Sequence, residues 1–128
     1  MPRDLSPAAR GAWRSVTAAL ARLGVLSTAD GEALRLLCEA LGEYREARRV
    51  LDREGVTYDL ETKTGGTMHR ARPEAAIAAD AWRRASAMLG RFGLTPADRA
   101  RLGGMPEGFR GAGISPDLDR ACREAAGD

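Results

Sequence analysis

Apolar positions recur at helical spacing in three long segments of the chain. The first begins at Ser6–Pro7, where serine supplies an N-cap oxygen and proline occupies the first helical position. Its stripe has spacings of three and four residues and consists of Leu5, Ala9, Trp13, Val16, Leu20 and Leu23. Gly24 ends the pattern, and the short connection that follows predicts a sharp reversal into a second helix.

The second helix is predicted from near Thr28 to Glu54, a length of nearly 40 Å at about 1.5 Å per residue. A leucine-rich seam runs along it, and a seam of alanines repeats every seven residues beside the first, at Ala33, Ala40 and Ala47. One seam then serves the core of the chain and the other a neighbouring copy. An ordinary core helix of a three-helix domain explains the same pattern equally well.

The helical pattern breaks at about residues 56–70. Val56, Tyr58 and Leu60 alternate with polar residues, and Gly65–Gly66 is typical of a β-hairpin turn. A two-stranded hairpin is marginal alone, so we expect it to pack on helices or on other subunits. Its second arm is basic and carries Lys63, His69, Arg70 and Arg72. This arm is either a solvated loop or a contact for phosphate.

Pro73 opens a third helix with apolar positions on more than one side. Its second seam is mostly small and consists of Ile77, Ala81 and Met88, while Arg83, Arg84 and Arg91 occupy the remaining surface. Gly93 predicts the end of this helix, and Thr95–Pro96 begins a short one that carries Arg99 and Arg101. Residues 103–128 are rich in glycine and poorly patterned, and we expect a flexible tail.

Charge is distributed unevenly along the 128 residues. Residues 1–61 are net −1, residues 62–102 are net +5, and residues 103–128 are net −2. The basic excess in the middle third favours a polyanionic partner. The chain has no apolar run of the roughly 18 residues that a membrane span needs, and its N-terminus has no secretory pattern. We therefore expect a cytoplasmic protein with no membrane partner.

The composition argues against catalysis and against a metal site. His69 is the only histidine, and Cys38 and Cys122 are the only cysteines, so zinc would lack ligands. The chain has no phosphate-binding loop, no nucleophile elbow and no metalloprotease motif. Two helices that are apolar on more than one side predict a closed homo-oligomer of more than four copies, because a monomer would expose that surface.

The order of these elements resembles the small subunit of phage terminases. The resemblance covers about residues 5–102 and rests on "LSPAARGAWRSVTAALARLGVLSTAD", "ALRLLCEALGEYREARRVLDREG", a turn-rich stretch ending in "RPE", an alanine-rich helix and "FGLTPADRARL". It implies a ring that recognises phage DNA and passes it to the large subunit, which holds the ATPase and nuclease. Larger members have a separate N-terminal helix-turn-helix domain. This chain enters the core region by residue 6, so we expect its DNA contacts in the basic middle third.

The sequence thus predicts a mainly α fold, a helical hairpin plus further helices with a small β-hairpin, in a core of residues 1–102. The predicted function is a non-catalytic packaging accessory without cofactor. Its partners are double-stranded phage DNA, the terminase large subunit and copies of itself, in the host cytoplasm. Candidate DNA contacts are Lys63, Arg70, Arg72, Arg83, Arg84, Arg91, Arg99 and Arg101. Candidate intersubunit residues are Ala33, Ala40, Ala47, Ile77, Ala81 and Met88. The alternatives are a small helix-turn-helix regulator and a structural head or adaptor protein.

Overall fold

The computed structural model of the chain describes residues 1–101, and the predicted tail from residue 103 lies outside them. Its helices are α1 (Pro7–Leu23), α2 (Gly31–Glu54), α3 (Pro73–Arg91) and α4 (Pro96–Arg101). A 3₁₀ turn, Thr28–Asp30, leads into α2, and strands β1 (Thr57–Glu61) and β2 (Thr67–Ala71) separate α2 from α3. The predicted mainly α fold with a small hairpin is confirmed. None of the described helices is long and apolar enough to cross a membrane.

Helices α1 and α2 form the predicted helical hairpin. Ser6 caps α1 by accepting a hydrogen bond from the amide of Ala9 at 3.2 Å, and Gly24 ends the helix in the left-handed conformation with φ 68°. The Glu39 carboxylate on α2 accepts from the amide of Ser6 at 2.9 Å and from its hydroxyl at 2.6 Å. The residue that caps α1 is therefore also fixed to the middle of α2.

The backbones of α1 and α2 approach closely at Gly42. A Cβ atom at this position would lie 2.7 Å from the amide nitrogen of Ala9 and 2.9 Å from the carbonyl carbon of Ala8. Both are backbone atoms, which cannot rotate away as a side chain can. The crossing therefore requires the absence of a side chain at residue 42.

The core of the three long helices is made mainly of leucine and alanine. Its larger cluster joins α1, α2 and the second half of α3, and a smaller one joins Ala47, Leu51 and Ala78 between α2 and α3. Leu20, Leu37 and Cys38 are the largest fully enclosed side chains of the described residues. Burial raises the pKa of the Cys38 thiol to about 11, so this cysteine is a small core residue and not a reactive thiolate at neutral pH.

The β-hairpin is present as predicted, but it projects from the helices. Its register pairs Tyr58 with Arg70 and Leu60 with Met68. Nearly all of its residues are exposed, and each strand packs mainly on the other rather than on a helix of the same chain. Of the two expected supports for the hairpin, helices of its own chain contribute little within residues 1–101.

Replacing Gly42 with alanine should destabilise the fold. Backbone atoms of α1 must shift to admit the new Cβ, a cost of about 1–3 kcal/mol that exceeds the gain of up to about 1 kcal/mol from alanine's helix propensity. Gly11 is the matched control, because it lies within α1 with nothing within 4 Å of a Cβ at that position. Gly11→Ala should raise the free energy of urea unfolding and Gly42→Ala should lower it. Equal stabilisation by both would contradict the close crossing.

Candidate nucleic-acid interface

The candidate DNA-binding cations lie in three groups along α3. Lys63, Arg70 and Arg72 belong to the hairpin that precedes the helix, and Arg83 and Arg84 to its middle. Arg91, Arg99 and Arg101 follow at its far end and on α4. The 19 residues of α3 separate the first and last groups by about 28 Å at about 1.5 Å per residue. The structure therefore does not bring the eight into one patch.

Arg72 anchors the base of the hairpin. Its guanidinium donates to the carbonyl of Glu54 at 3.3 Å, pairs with the Glu54 carboxylate at 3.2 Å and stacks 5.6 Å from the centre of the Tyr58 ring. A hydrogen bond from Arg53 and the charge of Arg72 lower the pKa of Glu54. Within the described residues the Nε of Arg72 is buried and has no hydrogen-bond partner. These contacts give Arg72 a structural role.

Arg83 and Arg84 are also paired. Arg84 donates to Glu43 on α2 and, at 2.8 Å, to Asp80, while Arg83 lies 3.5 Å from the same aspartate. The hydrogen bonds from Arg84 to Glu43 and Asp80 raise the pKa of its guanidinium. Because Glu43 is on α2 and Arg84 on α3, this pair links the two helices and neutralises charge in the middle of the surface.

The short helix α4 is held tightly against the end of α3. Gly93 has a φ of 68°, Thr95 accepts from the amide of Asp98 at 3.3 Å, and the Thr95 hydroxyl donates to the Asp98 carboxylate. The predicted end of α3 and start of α4 are confirmed. A Cβ atom at Gly90 would lie 2.7 Å from that carboxylate, so glycine makes room for the turn.

The two arginines of α4 differ in their surroundings. Arg99 is partly buried and donates to the carbonyl of Leu94 at 3.2 Å, and Leu94 itself packs against the core. Arg99 therefore helps to close the end of the helical core. Arg101 is exposed and has no ion-pair partner within residues 1–101. Of the eight candidates, the exposed cations without a carboxylate partner in this range are Lys63, Arg70, Arg91 and Arg101.

The candidate intersubunit residues fall into two groups, those buried inside the chain and those at its surface. Ala40 and Ala81 are 1% and 0% exposed and Ala47 is buried, so the alanine seam packs inside the chain at these positions. Within one copy, Ala40 and Ala81 thus lie in the core, as the alternative of an ordinary core helix has it for Ala40. Ala33 and Met88 instead border a groove of about 390 Å³ together with Phe92 and Arg91.

A second groove lies between α2 and α3 and has carboxylates along its sides. Its volume is about 630 Å³, and its acidic residues are Glu39, Glu43, Glu46 and Glu74. Its apolar surface includes Ala47, Val50 and Ile77, another candidate intersubunit residue. Glu39, Glu43 and Glu46 lie four and three residues apart on α2, which places them on one side of that helix. Glu74 joins them from α3, a juxtaposition that the order of residues does not reveal.

Within residues 1–101, no three His, Cys, Asp or Glu side chains are grouped so as to hold a metal ion. The exposed His69 pairs with Asp59 across the hairpin. The prominent chemical features of the described surface are thus unpaired cations, an acidic groove and exposed apolar side chains. Such surfaces are suited to binding other macromolecules.

A helical chain with these surfaces is typical of a binding subunit of a larger assembly. A family model described as phage terminase, small subunit, matches residues 9–108. The chain belongs to this family, and its role lies in phage DNA packaging. No curated protein and no solved structure gave a significant match.

Proposed function

We propose that this protein is a packaging accessory that binds phage DNA as a ring-shaped homo-oligomer and regulates the large terminase subunit in the host cytoplasm. The match of the small-subunit family over residues 9–108 carries the proposal. Exposed large apolar residues support assembly, because a lone chain would leave them in water. They include Leu36, Val56, Leu60, Met68, Ile77 and Trp82, each more than 40% exposed.

The α4 end of the chain is the proposed DNA contact. Arg91 and Arg101 are exposed there and free of carboxylates within the described residues, whereas Arg72, Arg83, Arg84 and Arg99 all bond within the chain. The Thr95 cap, two residues after the Gly93 that ends α3, fixes where the basic helix begins. A weak cationic contact gains strength when several copies present it to one polyanion.

The start of α2 argues against the alternative of a helix-turn-helix regulator. A recognition helix presents phosphate-binding and base-reading side chains in its first turns. Here Arg35 pairs with Asp4 at 2.6 Å and lies 3.8 Å from Glu32, while Leu36 is exposed. The first turns of α2 thus offer an acidic and apolar surface, which favours a protein partner over DNA.

DNA binding should weaken with salt and depend on Arg91 and Arg101. Each phosphate neutralised contributes about −0.9 to the slope of log affinity against log salt for duplex DNA. Arg91→Gln with Arg101→Gln should therefore make the slope shallower, as measured by fluorescence anisotropy with a phage DNA duplex. The control is Arg14→Gln with Arg45→Gln, which removes the same charge from exposed positions on α1 and α2. Equal effects of the two variants would contradict a specific contact at the α4 end.

The protein should change the activity of the large subunit and have none of its own. Alone it should hydrolyse neither ATP nor DNA. Added to the large subunit with DNA, it should stimulate ATP turnover, measured by phosphate release. Residues 103–128 are net −2 and thus poorly suited to DNA, so we propose that they contact the large subunit and that a 1–102 chain stimulates less. Equal stimulation would move this contact to the helices, and no stimulation by either chain would contradict the regulatory role.

A further inference from the structure

The exposed hairpin has two different faces. Alternation along the strands places Tyr58, Leu60, Met68 and Arg70 on one side, which we call the apolar hairpin face. The opposite side carries Asp59, Glu61 and His69 among smaller residues. Leu60 is 42% and Met68 43% exposed, although they form a cross-strand pair. Within residues 1–101 no helix packs extensively on the hairpin, and an isolated two-stranded hairpin is marginal in water.

The charge on the apolar hairpin face is positive. Arg70 lies there opposite Tyr58, and its Nε donates to the Met68 sulfur at 3.3 Å. Lys63 lies in the turn beyond it. Neither cation has a carboxylate partner within residues 1–101. A surface that complements this face must therefore be apolar at its centre and acidic at its edge.

The acidic groove between α2 and α3 has this character, and the other two grooves described here do not. It combines Ile77 and Val50 with four carboxylates. Three of these already bind Ser6, Arg84 and Arg49, whereas Glu74 has no ion-pair partner in the described part of the chain and is the carboxylate available to a docking cation. A groove of about 430 Å³ beside Tyr44 and Trp82 carries Arg48 and no acid. The groove beside Met88 has one charge of each sign, Asp30 and Arg91. The positive charge of the apolar hairpin face thus favours the acidic groove over the other two as its partner.

We propose that the apolar hairpin face of one copy docks in the acidic groove of the next copy of this chain. The two surfaces are different, so the contact is head-to-tail and repeats until a ring closes. The inference rests on the proposed ring and deepens it by naming its contact. DNA is a poorer partner for the hairpin, because one face would bring Leu60 and Met68 to phosphates and the other would bring Asp59 and Glu61.

The apolar part of the contact is tested by Leu60→Gln with Met68→Gln in the full chain. Both side chains are exposed within one copy, so the helical fold should persist, as checked by circular dichroism. The protein concentration at half-assembly, from light scattering, should rise roughly ten-fold or more, since apolar burial is lost. Thr57→Gln with Ala71→Gln is the control, because this cross-strand pair lies on the opposite face and should leave assembly unchanged.

The charged part of the contact is tested by exchanging the charges of Arg70 and Glu74. Arg70→Glu alone and Glu74→Lys alone should each weaken assembly, and the double variant should restore it.

If the wild-type chain is a monomer or dimer, the ring and its hairpin contact both fail. If the wild type is a ring and the Leu60 and Met68 variant remains one, only the hairpin contact fails. If that variant remains a ring but loses affinity for a DNA duplex, the hairpin is a DNA contact and the proposal is overturned.

Discussion

The arrangement of the helices depends on the close crossing of α1 and α2 at Gly42. The missing side chain lets the backbone of Ala8 and Ala9 lie where a Cβ atom would otherwise be. This proximity brings Ser6 within reach of Glu39, so that one carboxylate binds both the amide and the hydroxyl of the capping residue. Small residues continue the same close packing towards α3, where Ala81 and Ala85 are buried. The helices thus pack through short side chains, and polar contacts at their ends fix their positions.

Close packing of this kind has a consequence for the surface. Alanines fill little volume, and apart from Cys38 the larger side chains of the buried core are five leucines and one valine in the described residues, namely Leu5, Val16, Leu20, Leu34, Leu37 and Leu51. Several larger apolar side chains remain outside, including Trp82, which is 58% exposed and whose ring centre is 5.6 Å from that of Tyr44. A thin core with apolar residues on its outer surface is the physical basis for expecting assembly, because burial against other copies removes that surface from water.

Local signals predicted the elements well, whereas long-range partners were not predictable. Ser6–Pro7, Pro73 and the Gly93–Thr95–Pro96 segment mark helix ends because capping depends on neighbouring residues, and all three were correctly interpreted. The role of each arginine depends instead on distant residues: Arg72 bonds to a residue 18 positions away and Arg84 to one 41 positions away. Periodicity likewise predicted two seams on α2 but not which one α1 and α3 would cover. Because the covered seam could not be predicted, Ala40 and Ala81 were candidate contacts with another copy, whereas both lie in the core of one copy.

The two ends of α3 are suited to bind different partners, because they differ in which charges are paired and in the side chains around them. Its middle is neutralised by Asp80 and Glu43, so Arg83 and Arg84 contribute to the fold more than to the external field. The hairpin at its N-terminal end combines apolar side chains with Lys63 and Arg70, which have no carboxylate partner in the described residues, a combination suited to a protein groove. The α4 end has two exposed cations without a carboxylate partner in residues 1–101, Arg91 at the end of α3 and Arg101 on the capped helix α4, a combination suited to phosphates. In the proposed ring, α3 is then the rigid connection, about 28 Å long at about 1.5 Å per residue, between the contact that orders the copies and the contact that meets DNA. In that ring, a change in how neighbouring copies dock would be transmitted along one helix to Arg91 and Arg101, the proposed DNA contacts.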